Sequence, residues 1–242
     1  LPILDFWVAL AQIMMVNIVL SGDNAVVIAL AARNLPAHQQ KLAVLWGSGG
    51  AIVLRILLTA VAVVLLQIPF LQALGALLLI WIAVKLLTEE DEAEGHHHAH
   101  DSLFGAVKTI LLADVVMSLD NTLAIAGIAK GDWTLLITGL VLSIPLIVFG
   151  STIIMKMIDR FPIIVYAGAG LIAYTAGHMI DADKAVQPFL PSFLHGTPYL
   201  AIILTVAVIG YGWWFNKKKH RTAHDVLVAD EHAAERIEDA ID

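Results

Sequence analysis

Apolar residues along this chain arrive in runs of around 20, separated by short polar joints and without the period-two alternation of a membrane barrel strand. Such a run matches the hydrocarbon slab of a bilayer, about 30 Å at 1.5 Å of rise per helical residue. Seven runs are legible, at about 6–32, 42–66, 70–87, 103–129, 134–158, 161–180 and 198–215. Between the third and fourth lies a polar stretch, EEDEAEGHHHAHD, from Glu89 to Asp101. A loop rich in Pro, Asp and Gly precedes the seventh run, and a tail opening with NKKKHR follows it. The pattern predicts an all-α membrane protein with seven transmembrane helices. With no basic leader before the first run, that run reads as a true span rather than a signal peptide.

Lysine and arginine set the orientation. Lys217, Lys218, Lys219 and Arg221 follow the last span directly, which places the tail in the cytoplasm and, across seven spans, the N-terminus outside. The joints that then fall inside hold Arg33 and Lys41, Lys85 and Lys108, Lys156 and Arg160, whereas those outside hold little beyond Lys130 and Lys184. The membrane expected is the plasma (inner) membrane of a cell.

The first and fourth runs contain the same peptide. NIVLSGDNAVVIA from Asn17 aligns without a gap on DVVMSLDNTLAIA from Asp114, at an offset of 97. Further on, Pro69 falls opposite Pro162, Gly75 opposite Gly168 and Lys85 opposite His178, at an offset of 93. Three helices per copy is an odd number, so the second copy enters the bilayer from the opposite face. The expected plan is two inverted three-helix repeats plus one C-terminal helix. Its parts are a first repeat (1–88), a cytoplasmic acidic and histidine loop (89–102), a second repeat (103–182), a loop and seventh helix (183–216) and a cytoplasmic tail (217–242).

Composition sharpens the class. Hydrophobic residues make up 59% of the chain and charged residues 14%, against about 25% charged in a soluble domain. The net charge of −7 argues against a nucleic-acid partner, and the absence of cysteine removes disulfides, thiolate metal sites and cysteine nucleophiles. Inverted repeats place their binding sites near the membrane midplane, often where a helix is interrupted. Ser21 to Asn24 and Ser118 to Asn121 sit at equal depth in their runs, and Ser, Asp and Asn favour helix starts. A break is therefore expected at both motifs.

Carboxylates at membrane depth are functional candidates by default, and Asp23, Asp114 and Asp120 all lie in apolar sequence. Three buried negative charges need a cation or protons beside them. Asn17, Ser21, Asn24, Ser118 and Asn121 add neutral oxygens, and such a donor set suits hard divalent ions: Mg2+, Ca2+ or Mn2+. A thioether from Met14, Met15 or Met117 would tilt the choice to Mn2+, although packing is the commoner role of methionine. On an ideal helix Asp114, Ser118 and Asn121 share a face while Asp120 points elsewhere. Arg55, inside the second run and without a counterpart in the fifth, either pairs with an aspartate when the site is empty, with a role in coupling or gating, or snorkels to the interface. Lys85 and His178 near helix ends read as interfacial, and Pro145 either kinks the fifth helix or is tolerated there. The EEDEAEGHHHAHD loop is either a metal-capturing tract or a solvated linker.

On these residues the chain resembles the TerC family of integral membrane proteins. Ser21-Gly-Asp23-Asn24, Ser118-Leu-Asp120-Asn121, Asp114, the seven spans and the loop between the halves carry the resemblance, over roughly residues 5–215. It implies an exporter of manganese, with Asp23, Asn24, Asp114, Asp120 and Asn121 as ligands and no resident cofactor. It also implies a relation to LysE-type transporters and, as partners, the lipid bilayer and the secretion machinery or exported metalloproteins; a homodimer is compatible with the sequence. Two other classes compete. An intramembrane aspartyl hydrolase would use two bilayer aspartates as acid and base, but the Tyr-Asp and Gly-x-Gly-Asp signatures are missing. A LysE-like exporter of a small organic solute would need a wider cavity than these small aliphatic surroundings provide.

Overall fold

The computed structural model describes the backbone of residues 3–20, 22–65, 67–88, 99–129 and 131–238. Ser21, Lys130 and most of the acidic and histidine loop lie outside the described residues, as do the side chain of Asp120 and the side chains from Lys219 onward. Among the described residues every regular element is helical. The order is α1 (Ile3–Leu20), α2 (Gly22–Ala32), α3 (Ala37–Leu65), α4 (Leu71–Thr88), α5 (Ala99–Ala129), α6 (Trp133–Arg160), α7 (Ile163–Ala182) and α8 (Tyr199–Glu238). Two short 3-10 turns, Gln187–Phe189 and Ser192–Leu194, lie between α7 and α8.

The helices follow from aliphatic composition and end where the sequence supplies stops. Gly131, at φ +83°, reverses the chain between α5 and α6. The side chain of Asp132 then caps α6 by accepting from the Leu135 amide at 3.0 Å. Among the described residues five helices are long and apolar enough to cross a membrane, and a sixth span arises if α1 and α2 count as one path bent by 48°. Pro145 lies inside α6 without ending it. α8 continues through Lys217–Lys219 to Glu238, so the described part of the tail prolongs the last helix.

The packing is that of a membrane bundle. Large apolar residues face outward in number, among them Trp46, Val53, Leu57, Leu77, Trp81, Phe149 and Val206, as a lipid solvent allows. Small residues bring backbones together inside. A methyl group on Gly47 would lie 2.8 Å from Ile110, one on Gly139 would lie 2.5 Å from Ile13, and one on Gly177 would collide with the backbone of Ala201. These positions seat α3 on α5, α6 on α1 and α7 on α8. Cations at helix ends stack on neighbouring rings, Lys85 on Trp81, Lys217 on Trp213 and Lys218 on Trp214, the arrangement of side chains at a water interface.

Contacts between helix ends fix which ends lie together. Arg33, just past α2, donates to the Leu86 carbonyl at 2.8 Å, and Asn216 on α8 donates to the Leu87 carbonyl and the Tyr166 hydroxyl. At the other end of α4, Asp183 accepts from the Ala73 amide at 3.0 Å and thereby caps that helix from the end of α7.

Candidate functional site

The motif in the first half breaks its helix. The helical path turns by 48° between Phe6–Asn17 of α1 and Gly22–Ala32 of α2, with the motif at the turn. Gly22 has the second-lowest helix propensity after proline, about 1 kcal/mol below alanine. Asp23 stands in the first turn of α2, partly buried, and its Oδ1 accepts from the Asn24 amide at 2.9 Å. Asn24 is 97% buried, and neither its side-chain nitrogen nor its side-chain oxygen has a hydrogen-bond partner. A buried amide without partners costs about 1–3 kcal/mol by protein mutational data. This one lies beside a carboxylate at a helix break.

The motif in the second half does not break its helix. α5 runs from Ala99 to Ala129 through Ser118, Asp120 and Asn121, so the expected second interruption is corrected. The residue opposite Gly22 is Leu119, a good helix former that is itself buried. Asp114 and Ser118, one turn apart, share a face as the ideal-helix reading required, and Ser118 donates to Asp114 Oδ2 at 3.2 Å. Asn121, farther along, is partly buried and engaged in contacts of its own.

Arg55 ties the two halves together. It is 1% exposed on α3, and its guanidinium reaches into the space between α1 and α5. Nη2 bonds Asp114 Oδ1 at 2.6 Å, Nε donates to Ser118 Oγ at 3.0 Å, and Nη1 donates to Asn17 Oδ1. Asn17 in turn donates to Ser143 on α6, and Ser143 donates to the Leu140 carbonyl at 2.6 Å. One polar knot therefore links four helices, α1, α3, α5 and α6. Of the two fates open to Arg55 from sequence, pairing is the observed one.

The knot gathers Asn17, Asp114 and Ser118 around a guanidinium. Asp23 and Asn24 stand at the helix break. Among the described residues no three acidic or histidine side chains converge as a ready-made metal cluster; Ser21 and the Asp120 side chain lie outside those residues. Two of the three methionines pack and the third faces outward. Met15 is 67% exposed, Met117 sits in the larger apolar core and Met14 lines the smaller one. His178 is exposed beside Tyr174 and away from the knot. Ser143 is the residue that sequence reading passed over, because a single hydroxyl in an apolar run commonly bonds its own helix backbone. Its place two residues before Pro145 is the one signal that could have raised it.

The model of the integral membrane protein TerC family matches residues 4–222. Membrane protein YjbE of Bacillus subtilis is 43% identical over 206 residues, covering 85% of this chain and 93% of that protein. Membrane protein YceF of the same organism is 28% identical over 222 residues, 88% of this chain and 84% of its own. The inner membrane protein YgdQ of Escherichia coli is 27% identical over 229 residues, 88% of this chain and 94% of its own. No solved structure matches the chain. The chain belongs to the TerC family of multi-pass integral membrane proteins.

Proposed function

We propose that this TerC-family chain is a transporter that exports a divalent metal cation, Mn2+ first, through a polar site between its two repeats. The observation that carries the reading is Asn24: a buried amide, partnerless at both ends, next to the Asp23 carboxylate where a membrane helix is interrupted. A polar cargo would satisfy such a group, and a cation would be held by the carboxylate beside it. The cargo ligands we assign are Asp23, Asn24, Asp120 and Asn121, with Ser21 at the break. Oxygen donors of this kind hold hard divalent ions, so Ca2+ and Mg2+ are the competitors to Mn2+. With Met14 and Met117 in the apolar clusters and Met15 exposed, thioether ligation is no argument for manganese, which rests on the family resemblance.

Seven crossings with the N-terminus outside and the C-terminus in the cytoplasm of a plasma-membrane protein complete the proposal. The 31 residues of α5 supply the remaining crossing. The shared ends support the alternation: Arg33, Leu86, Tyr166 and Asn216 gather at one face, and Ala73 and Asp183 at the other. Packing supports the repeat. Ile110 and Ile13 differ by the 97-residue offset, and each fills the notch at a glycine, Gly47 and Gly139, whose spacing is within one residue of the 93-residue offset. Helix pairings exchange in the same way, α3 on α5 answering α6 on α1, and α4 on α5 answering α7 on α2. The shared-proton dyad of an aspartyl hydrolase finds no support at Asp114, whose two oxygens are engaged by Arg55 and Ser118.

The test is Mn2+ flux in vesicles reconstituted with the purified protein, together with manganese tolerance in cells. Asp23→Ala and Asp120→Ala should each abolish both while leaving the protein in the membrane. Wild-type flux in both variants would refute the ligand assignment.

A further inference from the structure

We infer that Ser48 on α3 is a further donor of the cargo site, a neutral oxygen that meets the divalent cation beside Asn24. The inference rests on the transporter reading above and deepens it, because it brings to the ion a helix that carries neither motif.

A hydroxyl buried in a helix ordinarily bonds the carbonyl three or four residues back. Thr109 donates to Gly105 in that way, Thr122 to Leu119, Ser143 to Leu140 and Ser151 to Val148. Ser48 does not: the residue is 2% exposed and its Oγ has no hydrogen-bond partner. Among the described residues, every buried polar side chain other than Ser48 and Asn24 makes a hydrogen bond. A buried polar group without a partner weakens the empty fold, and a bound ion is one of the few things that explains its presence. Two such groups in one interior point to a shared ligand.

Helix geometry puts the two at one level. α2 and α3 touch, and the short turn at 33–36 joins them, closed by Gln40 donating to the Arg33 carbonyl at 2.9 Å. Asn24 stands eight residues before Ala32, the end of α2, and Ser48 eleven after Ala37, the start of α3. Their distances from that turn are about 12 and 17 Å at 1.5 Å per residue, within one helical turn of each other. Each also turns from the neighbour on its other side. Val26 and Leu30 fill the notch at Gly168 on α7, and Asn24 lies about 140° around α2 from them at 100° per residue. Gly47 and Gly50 receive Ile110 and Leu111 of α5, and Ser48 lies about 130° around α3 from those glycines. Ala25, next to Asn24, approaches Gly150 on α6, and α3 touches α6 as well. The placement turns both side chains into the seam where α2, α3 and α6 meet. A hydroxyl, an amide oxygen and the Asp23 carboxylate are all hard donors, suited to ions of the Mn2+ and Mg2+ class. Ser48 is uncharged, so it acts on which divalent ion is preferred rather than on the charge of the site.

The experiment uses the full chain in lipid nanodiscs, with Mn2+ and Cd2+ binding measured by calorimetry and ultraviolet absorption. The chain has no cysteine, so Ser48→Cys introduces a single soft sulfur in place of a hard oxygen of similar size. It should raise the preference for Cd2+ over Mn2+ by about tenfold or more and give a thiolate-to-cadmium absorption band. Thr205→Cys, on α8 where the hydroxyl bonds the Ala201 carbonyl, should give neither. Ser48→Ala should weaken Mn2+ binding roughly tenfold, the effect of one lost polar contact. The thermal midpoint of the metal-free protein should hold or rise in that variant, because an unpaired buried hydroxyl is gone. A hydroxyl that merely joined helices would lower the midpoint and leave both affinities alone. An unchanged Cd2+ preference in Ser48→Cys, the same band in Thr205→Cys, or wild-type Mn2+ binding in Ser48→Ala overturns the inference. Loss of Mn2+ binding in Asp23→Asn, measured in the same series, would then leave the transporter reading in place. Should Ser48→Ala fail to fold, Ser48→Cys decides alone. Wild-type Mn2+ binding in both Asp23→Asn and Asn24→Ala would instead remove the site itself and the inference with it.

Discussion

In the first half of the chain, the helical path turns by 48° between Phe6–Asn17 and Gly22–Ala32; in the second half, α5 carries the matching residues from Asp114 to Ala126 without interruption. The two peptides share Val, Ser, Asp, Asn, Ile and Ala at six positions, so the difference lies in the others. Gly22 stands opposite Leu119, and Asn17 opposite Asp114. The first substitution weakens the helix where the motif sits, and the second decides which copy carries the acid that answers Arg55. One half has become a hinge with an unsatisfied amide, Asn24. The other has become a pillar whose polar residues are fastened to a neighbour. A repeat can keep its positions and still divide its labour.

The largest effect should come from erasing the difference at the knot. Asn17→Asp gives Arg55 two acids, puts a second negative charge in the interior and removes the donor that reaches Ser143. A buried group left unsatisfied costs about 1–3 kcal/mol, more when charged. Asn17→Asp should therefore lower stability in detergent by about 3 kcal/mol, read as a fall in the thermal midpoint. Because Arg55 bonds both positions, moving the acid should be tolerated better than doubling it. The exchange Asn17→Asp with Asp114→Asn should recover at least half of the lost stability. An exchange variant as unstable as the single one would mean that the two copies are not interchangeable about Arg55.

The notches come next. Gly139→Ala pushes a methyl group to 2.5 Å from Ile13 Cγ2, and Gly47→Ala pushes one to 2.8 Å from Ile110 Cδ1. Overpacking of this kind costs about 1–3 kcal/mol. The branch carbon Cγ2, held stiffly at Cβ, is met at 2.5 Å in Ile13 but at 2.9 Å in Ile110, so Gly139→Ala should be the more costly of the two. Thermal midpoints of the two variants, measured side by side, check the ranking; equal losses would show that both notches relax alike.

The elements were legible in the sequence because aliphatic runs of membrane length leave few alternatives to helix, and the lysine-rich joints mark the ends. Asp114 and Ser118 on one face followed from their spacing of four. The second break was misjudged because Ser, Asp and Asn were weighed as cap formers without the residue between them. Leucine at 119 holds the helix that glycine at 22 lets go. The partner of Arg55 could not be read at all, since its acceptors come from helices 38 and 59 residues away in sequence, and spacing within one helix says nothing of which neighbour faces it. Ser143 was hidden for the same reason.

The smallest effect isolates the hinge itself. Gly22 is exposed, and a methyl group built there would have nothing within 4 Å, so Gly22→Ala introduces no clash and acts through backbone propensity alone. Alanine favours a continuous helix by about 0.8–1 kcal/mol over glycine, which shifts the balance between bent and straight by roughly four- to fivefold. Spin labels at exposed Val8 in α1 and Trp46 in α3 report the outcome as a redistribution of their separation toward the straighter form. Mn2+ flux in vesicles should fall by a similar factor of roughly four, and the thermal midpoint should hold or rise slightly. If flux and distances stay at wild-type values, the interruption is imposed by the packing of α2 against α5 and α6 rather than by the glycine. The same contrast between Gly22 and Leu119 would then be a consequence of the division between the halves and not its cause.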